Sequence, residues 1–138
     1  MDGRESFLFP PAGVRGTISG VRILVVDDDS TVASMCEQAF PNEHDIVTVS
    51  SGFRALDLIA VGRSFDVILC ELRLPDMTGM EVHKRLVDCA PRTAGKIVFL
   101  TDDAKAYKAF LDSVPNMYVQ KPVLSSALRQ LVRDASLR

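Results

Sequence analysis

The sequence predicts an α/β domain: a doubly wound parallel sheet of five strands, order 2-1-3-4-5, with five helices on its faces. Three observations predict it. Short apolar runs rich in β-branched residues alternate with amphipathic stretches along the chain after Gly20. The connections are short and punctuated by Gly, Pro, Asn and Asp. The strand-like runs are nearly continuous in apolar residues, as expected for strands covered on both faces. A chain of 138 residues is long enough for one domain with a sizeable core.

Residues 1–20 carry Pro10, Pro11, Gly13, Gly16 and Gly20 without sustained periodicity, the composition of a tail or linker. Phe7-Leu8-Phe9-Pro10 reads alternatively as the end of an upstream domain. The folded unit is expected over 21–138. Val21 to Val26 is an unbroken aliphatic run too short for a buried helix, so it forms the first strand. Ser30 is placed to cap a helix running to about Phe40, ended by Pro41-Asn42. Asp45 to Ser50 forms the second strand. Ser50 or Ser51 then opens a helix with Phe53, Leu56, Ile59 and Ala60 on one face, closed by Gly62.

Phe65 to Cys70 is the third strand, and Gly79 to Ala90 a helix with Met80, Val82, Leu86 and Val87 as its apolar positions. Lys96 to Leu100 is the fourth strand, Ala104 to Ser113 a short helix, and Met117 to Gln120 the fifth strand. Ser125 caps a last helix that turns Leu128, Leu131 and Val132 inward. Right-handed crossovers between such elements give the flavodoxin-like order, with the chemistry at the carboxyl ends of the strands.

Composition excludes several classes. Hydrophobic residues make up 47% and charged residues 25%, as in ordinary globular proteins. A net charge of -2 gives no basis for a nucleic-acid-binding face. No apolar run reaches membrane-span length and the first residues are not signal-like, so a soluble, cytoplasmic protein is expected. Cys36, Cys70 and Cys89 lack CxxC spacing and lie in apolar stretches, where they are expected as small buried hydrophobes. His44 and His83 are expected in surface or packing roles.

Polar groups converge at one sheet edge. The first strand ends in Asp27-Asp28-Asp29, the third in Glu71, the fourth in Thr101 and the fifth in Lys121-Pro122. Clustered carboxylates need a compensating cation. Mg2+ suits them, since it takes one or two carboxylates plus waters and substrate oxygens. Lys121 adds a positive charge and Thr101 a hydroxyl, both suited to phosphoryl oxygens.

These motifs, with Val67-Ile68-Leu69-Cys70-Glu71 and the Leu74-Pro75-Asp76-Met77-Thr78-Gly79 loop, resemble the receiver domain of bacterial two-component response regulators from about Val21 to the C-terminus. The resemblance implies that Glu71 occupies the phosphoacceptor position. It implies that Asp28 ligates Mg2+ directly, Asp27 through water, and Arg73 through its backbone carbonyl, with Glu71 completing the set. Thr101 and Lys121 match the residues that follow the phosphoryl group, and the Lys-Pro bond is commonly cis in the family. Tyr118 matches the aromatic switch. The expected partners are a sensor histidine kinase or another signalling protein. The face of the fourth predicted helix, fifth strand and last helix is the expected surface for partners or a homodimer.

Two departures bear on function. Glu71 stands where the family has Asp, which lengthens the acceptor by about 1.5 Å. That shift changes the alignment of the nucleophile and sends its charge toward Lys121 and Thr101. Asp102 replaces a small residue beside Thr101. There it either repels incoming phosphate or caps the next helix, while Asp103 faces solvent or takes that cap. Val114-Pro115-Asn116 also replaces the family's Gly-Ala step. The first reading is an atypical receiver that signals by protein–protein interaction, with Glu71 as a built-in partial phosphomimic. The alternative is a working phosphorelay receiver in which Glu71 or Asp76 accepts phosphate, although Asp76 is expected to point away from the metal. A nucleotide-binding enzyme is disfavoured, because acid stands where a Gly-rich phosphate loop would be.

Overall fold

The computed structural model describes residues 20–40 and 45–137. The expectations for Phe7 to Pro10, Pro41-Asn42 and His44 lie outside them. The apolar runs become β1 (Arg22–Val26), β2 (Asp45–Val49), β3 (Val67–Glu71), β4 (Ile97–Thr101) and β5 (Tyr118–Gln120). Between and after them stand α1 (Thr31–Ala39), α2 (Gly52–Ala60), α3 (Gly79–Cys89), α4 (Pro91–Ala94), α5 (Lys108–Ser113) and α6 (Ser125–Ser136). All strand pairs are parallel, in the expected order β2-β1-β3-β4-β5.

Side chains alternate between two cores because strand geometry has a period of two. Ile23, Val25, Val67, Leu69, Val98 and Leu100 pack with α1 and α6 through Val32, Cys36, Leu128 and Val132. Leu24, Val26, Ile68, Cys70, Ile97 and Phe99 pack with α2, α3 and α5 through Ala55, Val82, Leu86 and Leu111. Leu69 is wholly buried, and a side chain of that kind contributes about 1.5–3 kcal/mol by leaving water. A register slip of one residue would exchange the two cores. The pairs Val26 with Cys70 and Cys70 with Phe99 therefore set which strand ends emerge together.

Several helix ends follow expectation. The Ser51 hydroxyl accepts from the Arg54 amide at 3.2 Å; Thr78, which the sequence reading did not assign, caps α3 by accepting from the Glu81 amide at 3.1 Å. Gly62 has φ +95°, and the amides of Gly62 and Arg63 donate to the Ile59 and Leu58 carbonyls, closing α2 with the left-handed cap that glycine permits.

Other details depart. A sixth helix, α4, follows α3 because Pro91 cannot continue one helix but readily starts another. The expected helix from Ala104 is shorter: three-residue turns through Ala106 and Tyr107 precede α5. Ser30 makes no side-chain cap; Asp29 takes that role, accepting from the Thr31 amide at 3.0 Å and its hydroxyl at 2.7 Å. Ser125 lies inside α6 and caps nothing, with Leu124 at the cap position. Phe53 and Ala60 are exposed, not inward, because Gly52 and Ala55 form the buried stripe of α2 and Phe53 lies under Arg85. Val87 is exposed, and so is Cys89, at the outer end of α3. His83 is half-buried in packing, as expected.

Candidate functional site

The carboxyl edge of the sheet carries a cleft of about 270 Å³ lined by Asp27, Asp28, Asp29, Glu71, Arg73, Leu74, Pro75, Asp102 and Lys121. At its base Lys121 lies between two carboxylates. Its ammonium is 2.7 Å from Asp27 Oδ2 and 2.7 Å from Glu71 Oε1. Asp27 and Glu71 are both buried, and each has its second oxygen engaged. Asp27 Oδ1 accepts from the Asp29 amide at 3.0 Å, and Glu71 Oε2 from the Arg73 amide at 3.2 Å. Burial works against the Lys121 charge, but its bonds to Asp27 and Glu71 outweigh this and hold its pKa above the usual lysine range. Burial, with the Glu71 and Asp27 charges beside it, pushes the Cys70 thiol far up, so it is an apolar filler.

Thr101 is fully buried, and its hydroxyl oxygen accepts from the Asp103 amide at 3.0 Å. Asp103 Oδ1 in turn accepts from Ala106 at 3.1 Å, so the cap after β4 belongs to Asp103 and leaves Asp102 lining the cleft. β5 is tied in through the Lys121 amide, which donates to the Thr101 carbonyl at 2.7 Å, and the Lys121-Pro122 peptide is cis. Tyr118 is 47% exposed on β5.

Asp76 turns away from this cleft. Its two oxygens accept from the Gly52 and Phe53 amides at 2.9 and 2.8 Å, so it caps α2 from a distant loop. Its partial desolvation acts upward, but the amides of Phe53 and Gly52 prevail and lower its pKa. Sequence reasoning missed this cap, since nothing local pairs Asp76 with a helix 24 residues earlier. It also missed the Arg73 side chain: the Tyr107 hydroxyl, then the Asp102 and Glu71 charges, raise the guanidinium pKa. Arg54 escaped notice too; it lines a second cleft of about 370 Å³ that shares Asp27 and Asp28.

The donor set is all oxygen, which suits a hard divalent cation. Asp28 is exposed at the cleft, so its carboxylate is open to water and metal alike. Among the described residues no three acidic, His or Cys side chains converge as a ready cage. One or two carboxylates with waters satisfy Mg2+, so the residues fit the ion.

The response regulator receiver domain family matches residues 23–133. The chain belongs to that family. It is a receiver domain of two-component signalling. It is 31% identical over 121 residues to the response regulator MprA of Mycobacterium sp. strain KMS, covering 84% of this chain and 52% of that protein. The chain thus spans about half the length of such curated relatives. A putative response regulator from Chloroflexus aurantiacus superposes with TM-score 0.74 at 30% identity, covering 86% of this chain and 99% of that one. The receiver domain of the sensor histidine kinase PA1611 from Pseudomonas aeruginosa, which holds magnesium in its active-site cleft, matches with TM-score 0.73 at 22% identity. It covers 87% of this chain and 100% of that one, and shows the shared fold.

Proposed function

We propose that this receiver domain signals by protein–protein interaction without a phosphorylation cycle, Glu71 serving as a built-in partial phosphomimic. The observation that carries this reading is the bridge from Glu71 Oε1 to Lys121 at 2.7 Å. The added methylene delivers a carboxylate to the ammonium that would otherwise meet a phosphoryl oxygen. One charge stands where a phosphorylated aspartate has about two, so the mimicry is partial. With Oε2 on the Arg73 amide, neither oxygen of Glu71 is left poised for in-line attack. Asp102 at the cleft adds repulsion toward a phosphoryl donor.

In this reading Asp27, Asp28, Glu71 and the Arg73 carbonyl are the groups available to Mg2+, and the ion's chemistry would be charge neutralisation. Thr101 and Lys121 report the state of the site to the surface of α5, β5 and α6, where Tyr118 is the switch. That surface receives a sensor histidine kinase or another signalling protein, or a second copy of the chain, and nucleic acid is not a direct ligand. The receiver unit is 21–138 and acts as a cytoplasmic binding module with no enzyme activity. No described helix is long and apolar enough to cross a membrane.

Intact mass after incubation with Mg2+ and a small acyl-phosphate donor tests the reading. Wild type is expected to gain no phosphoryl group and Glu71→Asp to gain one. An adduct on wild-type Glu71 would establish a phosphorelay receiver and overturn the proposal.

A further inference from the structure

The strand ends that open the second cleft are locked side by side. β1 and β2 pair Val26 with Val49, and the Asp27 amide donates to the Val49 carbonyl at 3.1 Å. Beyond that point the two chains part toward α1 and α2, leaving the cleft of about 370 Å³. Such a volume lies at the small end of the range for ligand pockets. Its lining is mostly polar: Asp28 and Ser30 come from the β1 side, and Thr48, Ser50 and Arg54 from the β2 side. Asp27 also lines it, but is already engaged by Lys121 and the Asp29 amide.

The other two charges are not engaged. Among the described residues Arg22, Arg85, Lys108 and Lys121 each hold a carboxylate, whereas Arg54 and Asp28 enter no ion pair, with each other or with any other group. Nor do their side chains, or the hydroxyls of Ser30, Thr48 and Ser50, take part in a hydrogen bond within the described residues. The walls that carry them are nevertheless fixed. Asp29 holds the first wall, accepting from the Thr31 amide at 3.0 Å and its hydroxyl at 2.7 Å. On the facing wall Asp76 accepts from the Gly52 and Phe53 amides and Ser51 from that of Arg54. Those bonds engage the first amides of α2, so positive charge reaches the cleft through the Arg54 guanidinium.

We propose that this cleft binds a small zwitterion of the amino-acid type, its ammonium on Asp28 and its carboxylate on Arg54. A planar guanidinium matches a carboxylate with two parallel bonds, and a compact ammonium suits a single carboxylate. A simple anion would meet Arg54 but face Asp28, and a simple cation would meet Asp28 but face Arg54. A neutral ligand would draw both charges from water without pairing either. Ser30, Thr48 and Ser50 supply hydroxyls to the polar atoms that remain. Asp28 is also a group available to Mg2+, so the test is run without divalent ions and does not depend on how Glu71 behaves.

The test is an NMR titration of the full chain with glycine, β-alanine, γ-aminobutyrate and δ-aminovalerate, a series that varies the span between the two charges. At least one is expected to shift the Ser30, Thr48, Ser50 and Arg54 amides saturably, with Kd of about 1 mM or tighter. Butylamine and butyrate should bind roughly tenfold more weakly or worse, since each lacks one charge-assisted contact. Arg54→Gln and Asp28→Asn, both at exposed positions, should each weaken the zwitterion by a similar factor. Arg92→Gln removes a cation from α4, outside the cleft, and should leave binding unchanged. The absence of saturable shifts with every member of the series would overturn the assignment. So would equal binding of the singly charged probes, affinity that survives either cleft variant, or an equal loss in Arg92→Gln. The mass experiment on Glu71 is read separately and requires Mg2+, so the two failures are distinguishable.

Discussion

A Cβ on Gly79 would stand 2.6 Å from the carbonyl oxygen of Glu71, and 3.1 Å from the Leu72 Cα. The first turn of α3 therefore rests directly on the backbone at the end of β3, with the Gly79 amide donating to the Leu72 carbonyl at 2.9 Å. Backbone cannot rotate aside as a flexible side chain can. Gly79→Ala should destabilise the domain by about 1–3 kcal/mol, the usual range for overpacking. Urea unfolding should show a lower midpoint with unchanged slope. An unchanged midpoint would contradict this close approach.

Lys121 bridges two carboxylates and offsets part of their combined charge. Its side chain is 17% exposed, and those of Asp27 and Glu71 are 1% and 8% exposed, so water screens the cluster weakly. Lys121→Ala is expected to cost about 2–4 kcal/mol at neutral pH, somewhat less than a fully buried pair. The Lys121 pKa is raised on folding, so the contribution of its charge is present below the ordinary value of 10.5 and is lost as pH rises through the folded value. An equal loss at neutral pH and above the folded lysine value would show that packing of the lysine stem, not its charge, holds the site.

Asp76 joins the loop before α3 to the first amides of α2. Asp76→Ala should cost about 1 kcal/mol, the value of a helix cap. The Asp76 pKa is lowered on folding, so its contribution is present above the ordinary value of 3.8 and is lost as pH falls through the folded value. Stability measured in wild type and variant should converge below that range. A phosphoryl adduct on Asp76 in the mass experiment would contradict its engagement with α2.

The three thiols should separate by access. Cys36 and Cys70 are buried and Cys89 is exposed. Burial, with Glu37 nearby, pushes the Cys36 thiol up to about 12. A chromogenic disulfide reagent should modify Cys89 rapidly in the native protein, and all three only after unfolding. Rapid native labelling of Cys36 would show that α1 opens from the sheet far more readily than its packing implies.

The strands, their order and the convergence of Asp27, Glu71, Thr101 and Lys121 on one edge were legible in the sequence. Continuous apolar runs leave a parallel sheet little freedom of burial, and chain direction then places every strand end on the same side. Helix N-termini were less legible, because Ser30 and Asp29 are both chemically able to cap and only the local backbone chooses between them. Phe53 was misplaced for a related reason: helical periodicity locates an apolar stripe but not its angle to the sheet, which Gly52 and Asp76 set.

The sequence by itself determined that an acidic residue ends β3 and that this residue is one methylene longer than an aspartate. Only the tertiary structure decided where that length goes: Glu71 is stretched between Lys121, 50 residues further along the chain, and the Arg73 amide. It likewise drew Asp76 to α2 and tied Asn116 to the Ala94 and Ile97 carbonyls. These pairings cross between elements, and a hydrogen bond at 2.7–3.2 Å depends on the register and packing of whole elements, which no local pattern of residues encodes.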